Sequence, residues 1–300
     1  MKRVNLLYKV LTVFVLLFII IILISAQLSR RDYMDIVFLD VGQGDAALID
    51  IHNKNTNPIR VLIDTGRSRQ VMASIDKFYS YSIINYLSRI LINNDIDTLI
   101  LTHNDSDHIA MRCEIINRYN VKNIIVSSSM STSTILACDK NKVIENKITI
   151  NYLYAGDIIS IRNVNLNILN PPNELSFNKS KKDNNKSIVI LLEAYNNKIL
   201  FTGDIDKKDE LRITSNDFYK NKILKNIDIL KVAHHGSDGS SDANFIKYTK
   251  PKISVISSGK NSYGHPNPRV LNDLTSASST IHRTDQEGNV MFHFESKEKN

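Results

Sequence analysis

The sequence of 300 residues contains no tryptophan and only two cysteines. The chain also has no aromatic-rich strip on which nucleic-acid bases would stack, which mildly favours a small or cell-envelope substrate. Neither Cys113 nor Cys138 has a cysteine or histidine at zinc-finger spacing, so the sequence excludes that class of zinc module. The two thiols could form a disulfide outside the cell or stay as small buried side chains, and the sequence leaves both alternatives open.

Acidic residues are missing from the first 30 residues, which contain Lys2, Arg3, Lys9 and Arg30. The formal charge of +7 is therefore concentrated at the N-terminus, since residues 31–300 hold 34 basic and 31 acidic side chains. A mildly basic body is compatible with a polyanionic substrate but does not require one. The chain also lacks internal repeats and low-complexity tracts, and its hydrophobic fraction of 42% suits a globular core.

Residues 10–26 form an uncharged run of 17 residues, most of them apolar, after the basic N-terminus. The apolar region of a secretory signal is usually ~7–15 residues long and a spanning helix needs ~20, so this run lies between the two. We expect residues 1–30 to be an uncleaved signal anchor with a short tether, and a signal peptide cleaved after Ala26 is the alternative. The positive charge before the run predicts that residues 31–300 lie on the extracytoplasmic face, either anchored to the membrane or secreted.

A six-residue segment, His103 to His108, follows a strand-like apolar run and contains four side chains of the kinds that bind divalent cations. In an extended loop, alternate side chains point the same way, so His103 and Asp105 can share one metal ion. Asp107 and His108 are adjacent and more naturally serve a second ion. Helix capping by Asp107 would not explain the two histidines and the second aspartate. A helix from about residue 108 to 119 is predicted to follow.

Three further motifs stand at or beyond the ends of apolar segments. Asp204 comes after a strand and Gly203, where a carboxylate could bridge two cations. His234 and His235 end another strand and could supply a ligand and a neighbouring polar group. His265 stands in a turn, where a histidine satisfied within its own loop is the more common arrangement.

Taken in order, these motifs resemble the metallo-β-lactamase fold superfamily and, within it, the hydrolase domain of the ComEC competence proteins. The resemblance covers residues 35–294. It implies an α/β fold, an αββα sandwich with metals at the sheet edges, here preceded by the N-terminal anchor helix. The alternation of strands with interspersed helices fits the same architecture. The motifs that carry the resemblance are Phe38–Asp45, Leu62–Gly66, Thr102–His108, Leu200–Asp204, Val232–Ser237, Ser258-Gly259 and Tyr263–Pro266.

The resemblance also implies roles for single residues. The implied metal ligands are His103, Asp105, Asp107, His108, Asp204 and His235. The implied catalytic residues are Asp107, His234 and His265, with His234 facing the substrate. Asp64 is expected to orient a ligand histidine or the turn at Thr65-Gly66. Asp40 and Asp45 are candidates for the same role, although simple turn formation is an open alternative for Asp45.

Two features depart from the commoner superfamily pattern. Asp105 stands where most members have histidine, which tilts the metal preference from Zn²⁺ toward Mn²⁺; the ComEC-like branch itself has this aspartate. No histidine occurs between His108 and Asp204, so the usual third-motif histidine is missing. Asn185 or Ser187 could take its place.

The resemblance implies metal-activated hydrolysis, in which two divalent cations, Zn or Mn, lower the pKa of water from ~15.7 towards ~7. The expected substrate is a phosphodiester, most concretely DNA. Candidate hydrogen-bond donors to its phosphate are His234, His265, Lys260 and Arg283. A small or cell-envelope ester, such as a phosphorylcholine-type ester or a lactone, is the alternative. An inactive binding module on the membrane is less favoured because the cluster is intact. The sequence does not allow a protein partner to be predicted.

Overall fold

The computed structural model describes residues 2–28, 31–54, 56–67, 83–91, 93–128, 130–138, 140–173, 183–217, 219 and 224–296. The helices are α1 (Lys2–Leu28), α2 (Ile83–Ile90), α3 (Ser106–Ile109), α4 (Arg112–Arg118), α5 (Thr132–Leu136), α6 (Lys140–Glu145), α7 (Lys207–Ser215), α8 (Ala243–Thr249), α9 (Pro268–Ser276) and α10 (Thr284–Glu287). The first seven strands are β1 (Tyr33–Phe38), β2 (Ala47–His52), β3 (Ile59–Ile63), β4 (Asp95–Leu101), β5 (Asn120–Val126), β6 (Thr149–Tyr152) and β7 (Ile158–Ile161). The other seven are β8 (Val164–Asn170), β9 (Val189–Ala194), β10 (Asn197–Phe201), β11 (Ile229–Lys231), β12 (Ile253–Ile256), β13 (Thr280–Arg283) and β14 (Val290–Glu295).

The strands form two mixed sheets of seven strands each. In the first sheet, in the order β14-β1-β2-β3-β4-β5-β6, pairing is antiparallel up to β3 and parallel from β3 to β6. In the second, in the order β13-β12-β11-β10-β9-β8-β7, pairing is antiparallel from β7 to β10 and parallel from β10 to β13. Parallel strands end at the same sheet edge, which brings together the polar residues that follow β3 and β4, and likewise those that follow β10 and β11.

Three hydrophobic cores separate four layers. Side chains from the facing sides of the two sheets, such as Phe38 and Phe201, form the central core. Leu87 of α2 and Ile115 of α4 pack on the other face of the first sheet. Helices α7, α8 and α9 cover the other face of the second sheet. The layers are therefore helix, sheet, sheet and helix, as the motifs and strand pattern predicted.

The helix predicted from about residue 108 to 119 is two short helices, α3 and α4, so that prediction was wrong in continuity. The carbonyl of His108 accepts hydrogen bonds from the Thr65 amide at 2.6 Å and from the Thr65 hydroxyl at 3.0 Å. Gly66 also forms a parallel bridge with Ile109. This contact with the end of β3 takes up the carbonyl that would continue the helix, so the chain turns before α4.

The N-terminal helix α1 extends over 27 residues, and its side chains between residues 9 and 22 are exposed. Within the part of the chain that the structure describes, no helix meets the length and hydropathy required to cross a membrane. The signal anchor stays a prediction. The predicted boundary at residue 30 falls on residues 29–30, which lie outside the described ranges.

Candidate metal centre

Asp64, directly after β3, organises the loop that begins at Thr102. Its carboxylate accepts hydrogen bonds from the Thr102 amide at 2.8 Å and the Thr102 hydroxyl at 2.7 Å. The same carboxylate lies 2.8 Å from Nδ1 of His108. Asp64 therefore holds both ends of the Thr102–His108 loop, which is the positioning contact predicted from the sequence.

Three buried histidines have their Nδ1 atoms engaged and their Nε2 atoms free. Nδ1 of His235 lies 2.9 Å from the carbonyl of Ser257, and Nδ1 of His103 lies 3.1 Å from the Thr102 hydroxyl. Because the Thr102 hydroxyl donates its proton to Asp64, it accepts from His103. With Nδ1 as the donor in each ring, including His108, each Nε2 has a lone pair available for a ligand.

The carboxylate of Asp204 is the point on which these rings converge. Its Oδ2 atom lies 3.3 Å from Nε2 of His108, 3.6 Å from that of His235 and 3.8 Å from that of His103. Asp204 is only 2% exposed, and its amide donates to the Ser187 hydroxyl at 3.1 Å. Asp204 reaches this place because β10 ends beside β9 and β11 in the second sheet.

The remaining two aspartates of the loop lie on the solvent side of the cluster. Oδ2 of Asp107 is 3.3 Å from Nε2 of His235, and Oδ2 of Asp105 is 3.6 Å from Nε2 of His103. Their side chains are 23% and 43% exposed, respectively. The structure thus brings all six predicted ligands together, four of them buried and two at the entrance.

Several buried polar atoms of these residues have no hydrogen-bond partner, which indicates whether the residues suit a cation. Nε2 of His103, His108 and His235 and Oδ1 of Asp204 are all inaccessible to solvent and have no hydrogen-bond partner. Three overlapping sets have ligand atoms within 4.8 Å of one another: His103, His108 and Asp204; Asp107, His108 and His235; and Asp45, Asp64 and His108. Orphaned imidazole and carboxylate atoms that face one another are what a divalent cation requires, so the residues fit a metal.

The electrostatics of the cluster lead to the same conclusion. Burial opposes charge on His108, but Asp204 and Asp64 outweigh burial and hold the pKa of His108 well above its usual range. In the same way, Asp204 and Asp45 overcome burial and raise the pKa of His235 to about 10. Burial opposes ionisation of Asp204, yet His108 and His235 lower its pKa strongly. The carboxylates thus favour positive charge at the histidine rings, and a metal cation can supply that charge in place of protons.

Behind the cluster, Asp45 and Lys231 form a buried ion pair with 2.7 Å between Oδ2 and Nζ. Oδ1 of Asp45 also lies 3.3 Å from Nδ1 of His235. Burial raises the pKa of Asp45, but Lys231 and His235 outweigh it, and the net shift is downward. Asp45 is therefore a positioning contact of the site, and the alternative of simple turn formation does not account for it. The ammonium group of Lys231 therefore balances the charge of the Asp45 carboxylate behind the cluster.

His234 and His265 lie on the wall of an open cleft beside the cluster, with about 330 Å³ of space. Their ring centroids are 5.5 Å apart. Burial lowers the pKa of both rings, so both are neutral near pH 7. Nε2 of His234 is also 3.7 Å from Oδ2 of Asp204, so His234 lies close to the cluster while it lines the cleft.

Other candidates lie elsewhere. Asp40 accepts a hydrogen bond from the Gly42 amide at 3.1 Å, which makes it a turn residue. Arg283 forms an ion pair with Asp285 at 2.7 Å, and Lys260 is exposed; among the described residues, neither lines the cleft.

Of the two residues that could take the place of the missing third-motif histidine, Ser187 lies next to Asp204. Adding a Cβ to Gly203 would put that atom 2.8 Å from Cβ of Ser187, so the two chain segments are in close contact. The carbonyl of Asn185 accepts from the Asn170 side chain at 3.1 Å. The hydroxyl of Ser187 is thus the nearer of the two predicted substitutes to Asp204.

Sequence reasoning missed two basic residues of the site, Lys231 and Arg67. A lysine inside the apolar segment Ile229–Ala233 is a signal that could have identified Lys231, because a buried lysine requires an acidic partner. Arg67 follows Thr65-Gly66 directly, and no local pattern distinguishes it from a surface arginine.

No family model matches the sequence. ComE operon protein 3 of Bacillus subtilis is 31% identical over 284 residues, which are 90% of this chain and 34% of that protein. Recombination protein 2 of Haemophilus influenzae is 30% identical over 276 residues, 91% of this chain and 30% of that protein. The chain thus spans about a third of the length of these relatives. Among solved structures, the metallo-β-lactamase fold protein YhfI of Bacillus subtilis aligns with a TM-score of 0.52 at 11% identity, over 88% of this chain and 100% of that one.

Proposed function

Because the chain is a ComEC-like protein with the metallo-β-lactamase fold, we propose that it is a metal-dependent phosphodiesterase, most concretely a nuclease that cleaves DNA outside the cytoplasm. The resemblance predicted from the sequence motifs is confirmed by these relatives. One of these relatives is named a recombination protein, and recombination acts on DNA, which is a phosphodiester.

The observation that carries this proposal is the convergence of unpartnered Nε2 atoms on Asp204. We propose that the cluster would hold two divalent cations and that Asp204 would contribute to both ligand sets. The proposed first set is His103, Asp105 and Asp204; the proposed second set is Asp107, His108, His235 and Asp204. A bound pair of cations supplies Lewis acidity, which acidifies water and stabilises charge on a phosphoryl group.

The other residues have supporting roles. The Asp64 carboxylate and the Thr102 hydroxyl keep the ligand rings in one tautomer and one orientation. His234 and His265 are neutral near pH 7, so each ring can donate one N–H to a phosphate oxygen in the cleft. The more exposed, carboxylate-rich first set favours Mn²⁺ over Zn²⁺.

The extracytoplasmic location is part of the proposal. The disulfide Cys113–Cys138 supports it, because such bonds persist in oxidising compartments. The basic residues before the apolar run of α1 also support it. A protease added to intact cells would degrade the body of an externally anchored protein. Degradation only after the cells are lysed would contradict this location.

The activity can be tested with the full-length protein loaded with Mn²⁺ or Zn²⁺. We expect it to cleave single-stranded DNA and bis-p-nitrophenyl phosphate. Asp107→Ala should lower the rate by at least about 100-fold, because it removes both a ligand and a charge from the cluster. Glu114→Ala is the matched control, since Glu114 is a surface acid paired with Arg118 on α4. Equal activity of the Asp107 variant and wild type would contradict the proposal.

A hydrolase of a small or cell-envelope ester is the second candidate. One observation favours it: apart from histidines, Tyr263 is the sole aromatic residue among the described lining of the cleft. Base stacking on this surface is therefore limited. Activity confined to a phosphorylcholine-type ester or a lactone would replace the nuclease proposal with this one.

A further inference from the structure

The cleft beside the metal cluster contains one permanent cation among its described lining residues, Arg67. The other charged groups of that lining are Asp105, Asp107 and Asp204, whose charge would be directed at bound metal. A substrate that enters the cleft therefore meets one guanidinium group beside the proposed reaction centre.

Within the described part of the chain, Arg67 forms no ion pair or hydrogen bond, although three carboxylates line the same cleft. Its Nε atom is buried and has no partner. A buried N–H without an acceptor costs free energy, which a ligand oxygen could recover. An arginine that has no acceptor among the described residues but lines a ligand-sized cleft is available for an external anion.

The backbone around Arg67 is attached to the loops that hold the cluster. The Thr65 amide donates to the His108 carbonyl at 2.6 Å, and the Gly66 amide donates to the Asp45 carbonyl at 2.9 Å. A Cβ added to Gly66 would lie 2.7 Å from Cβ of Val41, so this segment packs too closely for a larger residue. The Cα of Arg67 is thus held at a defined place relative to His108.

We propose that Arg67 is the specificity residue of the site and that its guanidinium binds the non-bridging oxygens of a substrate phosphate. This inference rests on the proposed phosphodiesterase function and deepens it. A guanidinium matches the oxygens of a phosphate with two parallel N–H groups, whereas a neutral ester or a lactone presents no anion to it. Arg67 would therefore select phosphodiesters over the neutral esters that the same metals could hydrolyse.

The test uses full-length, metal-loaded wild type, Arg67→Ala and Arg67→Lys. Arg118→Ala is the matched control, because it removes an arginine on α4 whose partner is Glu114. Calorimetry gives the Kd of inorganic phosphate, and steady-state kinetics give KM and kcat for bis-p-nitrophenyl phosphate. Elemental analysis of each variant checks that the metal content is unchanged.

We expect Arg67→Ala to raise both the Kd of phosphate and the KM of the diester by about tenfold or more, with a smaller effect on kcat. Arg67→Lys should recover part of the loss, because it keeps the charge without the planar pair of donors. Arg118→Ala should behave as wild type. If KM rises in Arg67→Ala and this rise is partly reversed in Arg67→Lys, a merely structural role of Arg67 would not explain the result.

The inference is overturned if Arg67→Ala keeps Kd and KM within about twofold of wild type, or if metal-loaded wild type does not bind phosphate. Failure of the proposed function gives a different result. In that case, wild type binds phosphate with the same dependence on Arg67 but leaves the diester intact.

Discussion

At the scale of single residues, the paired histidines show how the backbone directs side chains. His234 (φ 51°, ψ 46°) and His235 (φ 54°, ψ 23°) are both in the left-handed region, and Gly236 follows with φ 80°. For residues with a Cβ, this conformation costs about 1–3 kcal/mol each. It places Nε2 of His235 towards Asp204 while His234 lines the cleft. The strained backbone therefore directs the two neighbouring histidines differently, with His235 at the cluster and His234 in the cleft.

We expect His234→Asn to keep the stability of the protein, because asparagine tolerates the left-handed region, while His234→Ala should be about 1 kcal/mol less stable. Both variants should lose activity but retain metal. Urea unfolding and elemental analysis of the metal-loaded proteins measure this, with His235→Asn as the comparison that should lose metal. Loss of metal from His234→Asn would show that His234 is itself a ligand.

Glu210 is a buried carboxyl group on α7. It accepts the amides of Ser241 and Asp242 at 2.7 Å each. Burial raises the pKa of Glu210 from 4.5 to about 7, even though these two amides lower it. The folded protein therefore holds this proton more tightly than the unfolded chain. The stability that results is complete below pH 4.5 and is lost as the pH rises through about 7.

We expect the free energy of unfolding of wild type to fall between pH 4.5 and 7 by roughly 3 kcal/mol more than that of Glu210→Gln. Urea unfolding at several pH values, with Glu114→Gln as the exposed control, measures the difference. Parallel curves for wild type and Glu210→Gln would mean that Glu210 is already ionised at the lower pH.

At the scale of secondary-structure elements, the site exists because strand ends of the two packed sheets meet at one edge of the sandwich. Lys231 ends β11 in the second sheet, whereas Asp45 lies between β1 and β2 in the first. Their side chains are 5% and 9% exposed, and Nζ also donates to the Val232 carbonyl at 3.0 Å. This pair connects the two sheets directly behind His235.

We expect Lys231→Met to lower stability by about 3–5 kcal/mol, because it leaves the Asp45 carboxylate buried without its cation. Adding Asp45→Asn should restore part of the loss, since the uncompensated charge is then removed. Chemical denaturation of the metal-loaded protein measures both effects. Lys252→Met is the control and should change little, because its ion pair with Asp228 is on the surface. If Lys231→Met costs no more than Lys252→Met, the pair does not connect the sheets energetically.

At the scale of the whole molecule, the disulfide decides between the alternatives that the sequence left open. Cys113 of α4 is bonded to Cys138, which follows α5, across a separation of 25 residues. The bond closes a loop that contains β5 and α5. It stabilises the fold mainly by restricting the unfolded chain.

We expect the double variant Cys113→Ser and Cys138→Ser to be about 3 kcal/mol less stable than the oxidised protein. Denaturation with and without reductant measures this, and the reductant should have no effect on the double variant. Equal stability of oxidised and reduced wild type would contradict the prediction. Purification of the protein with free thiols from its native compartment would contradict the extracytoplasmic location.

Much of the fold followed from the sequence, because alternating apolar runs and the residues that end them are local features. The break between α3 and α4 did not, because it depends on Thr65 taking the carbonyl of His108. The proposed ligands were named from residue type and position at strand ends. Their mutual distances and burial became visible only once both sheets were in place.

The sequence alone indicated the chemical character of the site, since histidines and aspartates at strand ends are ligands that suit divalent cations. The tertiary structure decided which groups support that site: Asp45 with Lys231, Arg67 in the cleft, and Ser187 beside Asp204. These contacts join residues far apart in the chain. The apolar segment around Lys231 indicates that this lysine is buried, but which partner a buried side chain finds depends on how the two sheets pack, and no local pattern contains that information.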